Sequence, residues 1–443
     1  MRRPFAHAGK VDCRAPRETQ PEVLVEKPSP RIELPSPHSR ARFGALAYRE
    51  FRLLWFGLLV SNTGSWMQML AQGWLVVELA PSATLGAFYL GMVGFVRAMP
   101  VFLLSGLAGA LADRVDRRRL LFYTNFTMGA SALVLGCLAA LHVVQIWQVM
   151  IVAAASSAAA AFDAPTRQSL VPHLVAPREL MNAIGLNSAA FNGPAIIGPA
   201  IGGVIVGAFG VATCFFLNAA SYLAVVLALI LMSPKPPVPV ENRPGIWQEM
   251  TDGFHYMRRD PRVVGVIALS ALFALVCRPY IQLMPAFAKA VVHVGPRELG
   301  VLMAAAGAGA LAGSVAVAII RIHHRRGALL IVSASVAGIM LGVLGLTRSL
   351  LLASASLVVL GAAVMLFMGM ANTLLQVYTA LPMRGRVMSI YTMLFLGMMP
   401  LGTWLLGSAA SLTSLPASFA AGGALVVAAA LVSASRRSLR ELA

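Results

Sequence analysis

Twelve apolar stretches, each about twenty residues or longer, follow one another from Phe51 almost to the end of the chain. They lie at about 52–79, 85–112, 120–142, 146–166, 180–209, 212–232, 263–292, 299–320, 328–347, 350–377, 387–410 and 415–434. A stretch of that length crosses the hydrocarbon of a bilayer as a helix, which satisfies its own backbone hydrogen bonds. The stretches are too long for barrel strands and lack their alternation. Apolar residues make up 58% of the chain and charged residues 12%, about half the usual soluble share. The expected fold class is an all-α polytopic membrane protein with 12 transmembrane helices.

The net charge is +18, and its placement shows what it is for. Of the 35 Lys and Arg residues, 30 fall in the even-numbered joints and the two tails, while the odd-numbered joints carry only Arg297 and Arg348. Basic residues mark the cytoplasmic side, so both termini are expected there, in a cell inner (plasma) membrane. The charge then serves topology and attraction to anionic membrane lipid, and no nucleic-acid partner is expected. The four cysteines form no CxxC pair and three lie inside apolar runs, which argues against a disulfide scaffold and a zinc site.

Five segments follow from these patterns. Residues 1–43 are rich in Pro and Arg and read as a disordered cytoplasmic tail with no signal-peptide core. Residues 44–232 hold six spans and residues 263–435 hold six more. Between them, 233–262 opens on a proline-rich linker and continues as an amphipathic segment with Ile246, Trp247, Met250, Phe254 and Met257 near one face, expected to lie along the membrane surface. Residues 436–443 form a second cytoplasmic tail.

The joint between spans 2 and 3 carries Gly109, Leu111, Asp113, Arg114, Arg117 and Arg118 in the order G-x-L-x-D-R-x-x-R-R. This resembles the loop signature of the major facilitator superfamily. The resemblance implies two six-helix bundles related by a pseudo-twofold axis and transport by alternating access. It also implies a conformational latch at Gly109, Asp113, Arg114, Arg117 and Arg118, in which the carboxylate and the guanidiniums close one face of the molecule. In the corresponding joint between spans 8 and 9, Gly313 and the cluster Arg321, Arg325 and Arg326 persist, but Val317 stands where an acid is expected. A second latch is therefore in doubt, and His323 and His324 read as loop residues.

A narrower pattern is carried by Phe162, Asp163, Pro165, Arg167 and Gln168, then Asn182, Asn187, Asn192 and Gly198-Pro199, with Tyr48 to Arg52 before and Asn218, Ser221 and Tyr222 after. It resembles a bacterial exporter branch of the superfamily, the one that includes the enterobactin exporter, over roughly residues 46–435. That resemblance implies efflux of a small-molecule substrate driven by a proton gradient. The expected working unit is a monomer.

Asp163 and Arg167 stand four residues apart on one helix face. They fit a gate pair, or equally a structural ion pair. Ionisable residues deep in a membrane are functional candidates by default, and Arg97 and Arg278 both lie 16 residues, or about 24 Å, from the basic edge. Two guanidiniums at one depth suit an anion, though each could instead snorkel or bond carbonyls of its own bundle. Around them stand Asn62 and Gln68 on span 1, Asn187 on span 5, Tyr280 and Gln282 on span 7, Asn372 and Gln376 on span 10 and Trp404 on span 11. All are substrate-binding candidates, with interhelical packing as the competing role.

No Asp or Glu reads as central in the membrane, so the residue carrying the coupling proton is left open. No nucleophile elbow, HExxH or phosphate loop appears, no cofactor or metal site is expected, and the chain does not read as an enzyme. The leading reading is export of an amphiphilic small molecule such as a siderophore, drug or secondary metabolite. The alternatives are a lysophospholipid transporter and a transport-inactive sensor or scaffold.

Overall fold

The computed structural model describes residues 44–232, 254–258, 260–319 and 326–435. The tail 1–43, most of the amphipathic linker segment, the His323–His324 loop and residues 436–443 lie outside the described residues. So do the side chains of Gly109, Asp113 and Arg114. Among the described residues there is helix and no strand.

The helices are α1 (Arg49–Leu79), α2 (Ala83–Arg114), α3 (Arg117–Ala140), α4 (Ile146–Leu170), α5 (Leu180–Asn192), α6 (Pro194–Phe209) and α7 (Val211–Leu231) in the first bundle. The second holds α8 (Pro261–Val276), α9 (Tyr280–Phe287), α10 (Pro296–Ile319), α11 (Arg326–Leu346), α12 (Leu350–Tyr378), α13 (Arg384–Leu412) and α14 (Leu415–Ser435). Among the described residues these fourteen helices make twelve spans, because two spans are broken. The fifth divides at Gly193-Pro194, where the proline lacks an N–H to continue the ladder. The seventh divides at Cys277 to Pro279 for the same reason and ends in a π-helical turn, Ala288–Val292.

Eleven spans are long and apolar enough to cross a membrane by composition. Span 1 is not among those eleven, although α1 is 31 residues long. Its polarity is turned inward: Ser61 and Gln72 are buried, Asn62 donates to the Ala190 carbonyl at 2.9 Å, and Gln68 accepts from Asn218 at 2.6 Å.

Local chemistry sets the ends. Asp116 caps α3 by accepting from the backbone of Arg118 at 2.8 Å, and Asp260 caps α8 by accepting from Arg262 at 2.9 Å. α6 stops at Gly210, whose φ of +82° closes the helix with an N–H to the Val206 carbonyl.

The packing pairs repeat between bundles. α2 lies on α4 as α10 lies on α12; α3 on α7 as α11 on α14; α3 on α4 as α11 on α12; α1 on α6 as α8 on α13. The seam between bundles obeys the same relation, with α2 against α13 and α6 against α10. This is the pseudo-twofold arrangement that the loop signature implied.

Along the seam the backbones come close enough to require glycine. A Cβ on Gly203 would stand 2.6 Å from the Pro296 carbonyl oxygen, and one on Gly300 2.8 Å from that of Pro199. On the other side, a Cβ on Gly91 would stand 2.8 Å from the Thr403 carbonyl. These approaches lie in the halves of the helices remote from the basic joints.

The end of the linker is helical over residues 254–258. Met257 is buried while Phe254 is exposed, and the Tyr256 hydroxyl accepts from the Ala380 N–H at 3.1 Å. This part docks on the joint after α12 and does not simply float on the bilayer.

Close packing at the seam makes a test. Gly300→Val is expected to lower the thermal midpoint of the solubilised protein by several degrees, since overpacking costs about 1–3 kcal/mol. Gly342→Val, where a Cβ meets nothing within 4 Å, should leave it nearly unchanged.

Candidate functional site

Two polar regions lie inside the described spans. The first is wholly within the first bundle. Asp163 on α4 is buried and sits seven residues from the α4 terminus, about 10 Å in from the basic face. Its carboxylate accepts from Asn125 Nδ2 at 2.8 Å and Thr124 Oγ1 at 3.3 Å, and pairs with Arg167 Nη1 at 3.5 Å. Arg167 is also buried and lies over the Phe191 ring at 4.2 Å. Nearby, the Tyr222 hydroxyl stands 3.1 Å from Ser65 Oγ, and Ser221 donates to Asn218 Oδ1 at 3.0 Å. Asp163 is the one buried carboxylate among the described residues. It belongs to the bundle interior, not to a membrane edge, because α3 and α4 pack so as to enclose it.

The second region lies between the bundles. A cavity of about 30 Å³, room for one or two waters, is lined by Gln72, Arg97 and Gln282 together with Met69, Pro285 and Met303. It draws on α1, α2, α9 and α10. Arg97 lines this cavity and is exposed. Gln72 is buried, and its Nε2 has no hydrogen-bond partner. Gln72 escaped the sequence reading, although its signal was present: it follows Gln68 by four residues, on the same helix face.

Arg278 does not share that cavity. The break at Pro279 turns it into the second bundle, where its two terminal nitrogens stand 3.8 Å from Met368 Sδ and 3.9 Å from Met399 Sδ. Its guanidinium lies 5.7 Å from the centre of the Phe395 ring, and Nε is buried without a partner. Equal depth along two spans thus does not make one site: the structure separates Arg97 from Arg278.

Several other sequence candidates are engaged in packing. Asn62 and Gln68 bond within the first bundle as given above. Gln376 donates to Asn372 at 2.6 Å along α12. Trp404 meets Phe95 across the seam, with ring centres 5.8 Å apart. Tyr280 is buried at the start of α9, and Asn187 is half-buried on α5. Among the latch residues, Arg118 donates to the carbonyls of Leu229 and Ile230 at 2.9 Å for the latter, tying α3 to the C-terminal end of α7. Arg117 has a buried Nε without a partner.

A further link, absent from the sequence reading, crosses the seam at the face remote from the basic joints. Lys289, in the π-helical turn, donates to the Val77 carbonyl at 3.3 Å and lies 6.0 Å from the Trp74 ring. Trp74 in turn donates to Glu78 at 2.7 Å.

Two matched six-span bundles that meet around a cavity define a secondary-transporter architecture. Residues 40–442 match the family described as transmembrane secretion effector, and the chain belongs to that major facilitator family. It is 22% identical to the macrolide efflux protein A of Streptococcus pyogenes over 397 residues, 89% of this chain and 97% of that one. It is 25% identical to the enterobactin exporter EntS of Shigella boydii, covering 87% and 88%, and 27% identical to the multidrug efflux pump Tap of Mycobacterium bovis, covering 88% and 94%. Among solved structures it is similar to a bacterial homologue of the iron transporter ferroportin in an inward-facing state, with TM-score 0.66, 17% identity and coverage of 87% and 96%. It is also similar to a bacterial homologue of the lysosomal transporter Spinster in inward-facing form, with TM-score 0.64, 16% identity and coverage of 86% and 94%. Those structural likenesses show the fold. The chain is a membrane transporter of an efflux family and not an enzyme.

The buried pair gives a stability test. Asp163→Ala leaves Arg167 uncompensated and should cost about 3–5 kcal/mol, read as a depressed thermal midpoint. Asp163→Ala combined with Arg167→Met should recover much of the loss; strict additivity of the two would show that the residues do not act as a pair.

Proposed function

We propose that the protein exports an amphiphilic small molecule across the inner membrane by alternating access, driven by the proton gradient. The observation that carries this is the asymmetry of the seam. Its glycine contacts and the Lys289–Val77 bond join the bundles at the face remote from the basic joints. With the basic joints cytoplasmic, the described conformation is closed outside and faces inward, ready to load cargo from the cytoplasm or the inner leaflet. Residues 44–232 and 263–435 act as the two rocking bodies, both termini are cytoplasmic, and the monomer is the working unit.

Cargo occupies the space between the bundles. Polar contact comes from Arg97 and Gln282 at the cavity, with Arg278 in the second bundle as a further cation. The methionines lining that space form an adaptable apolar wall. The named activities of the relatives, macrolide, enterobactin and multidrug efflux, support a cargo of this amphiphilic class.

Asp163 is our assignment for the coupling carboxylate. It is enclosed, it is held by a cation and two neutral donors, and protonation would release Arg167 from its pair. The signature residues Asp113 and Arg114 act with Arg117 and Arg118 as the cytoplasmic latch, closing after the bundles rock.

Everted membrane vesicles provide the test. A lipophilic dye such as Hoechst 33342 should accumulate on energisation, and an uncoupler should collapse the gradient. Asp163→Asn should reduce energised accumulation by about tenfold or more while leaving dye exchange at zero gradient, measured per folded protein. Accumulation that survives the uncoupler would remove proton coupling. Epitope tags at the two ends should both be protected from protease in intact cells.

A further inference from the structure

The cavity between the bundles carries a charge imbalance that transport alone does not require. Arg97 brings a guanidinium to it, Gln72 brings an amide whose Nε2 donates to nothing, and Gln282 adds a second amide. No carboxylate lines the cavity. Inside a membrane an uncompensated cation and an unsatisfied donor are both costly, and together they are complementary to one thing: an oxygen anion.

We propose that this cavity is the subsite for an oxyanion end group of the cargo, a carboxylate or an equivalent acidic oxygen, with Arg97 supplying the charge and Gln72 a neutral hydrogen bond. The claim rests on the exporter reading only in taking the cavity for a cargo site. Size supports it. Room for one or two waters suits a carboxylate and excludes an aromatic body, which must lie outside the cavity. The methionines Met69 and Met303 and the ring of Pro285 give that end group apolar walls, which strengthen its bond to the guanidinium by excluding water. Arg278, held among Met368, Met399 and Phe395, stays out of this contact.

The sequence had offered Arg97 as half of a matched pair of arginines. In the structure Arg97 lines this cavity with Gln72 and Gln282, and Arg278 is not among the lining residues.

Calorimetric titration of the full-length purified protein in detergent, with 2-naphthoate and its uncharged isostere 2-naphthamide as probes, tests this. The wild type should bind naphthoate about tenfold or more tightly than naphthamide, the size expected of a charge-assisted bond. Arg97→Gln should remove the preference, and Arg97→Lys should keep most of it. Gln72→Leu should weaken both probes about equally, because an amide carbonyl accepts from Gln72 as a carboxylate does. Should Arg97→Gln fail to fold, Gln72→Glu places a carboxylate against Arg97 and should abolish the preference instead. The proposal is overturned by equal affinities in the wild type, by no detectable naphthoate binding, by a preference that survives Arg97→Gln or Gln72→Glu, or by one lost only in Arg278→Gln. Flux in everted vesicles is scored separately: dye transport without anion preference removes this subsite alone, while anion preference without any flux removes the exporter reading alone.

Discussion

Hydrocarbon offers no hydrogen-bond partners, so each polar group inside a span must find one within the protein or face internal water. That constraint organises the whole molecule. It drives the polar side of α1 into the first bundle, where Asn62, Gln68 and Ser65 bond to α5 and α7. It places Asp163 against Arg167, Asn125 and Thr124. It also makes exceptions informative. Gln72 Nε2 and Arg278 Nε are buried without a partner, and no carboxylate lines the cavity that holds Gln72 and Arg97.

The two bundles share a packing plan and divide the chemistry unequally. The first holds the buried ion pair and the connected hydroxyls and amides. The second holds stacked aromatics such as Phe273 and Phe367, whose ring centres are 4.0 Å apart, and sets its arginine among methionines.

The seam joins the bundles through close approaches at glycines and the Lys289–Val77 bond, with α2 packed along α13 and α6 along α10. Breaks in spans 5 and 7, at Pro194 and Pro279, lie on helices that line the seam and supply natural points of bending.

The number of spans, their helical state and the family were legible in the sequence, because lipid thickness acts on runs of residues that can be read one at a time. The inner-end position of Asp163 and its spacing from Arg167 were legible too. Which polar groups are paired was not. That Gln68 is satisfied by Asn218 while Gln72, one turn on, is left open depends on how α1 meets α7 and α9, and such contacts join residues far apart in the chain. Depth along a helix is a one-dimensional property, so it set Arg97 and Arg278 level. Azimuth, fixed by the break at Pro279 and by neighbouring side chains, parted them, and only the packed structure determines azimuth.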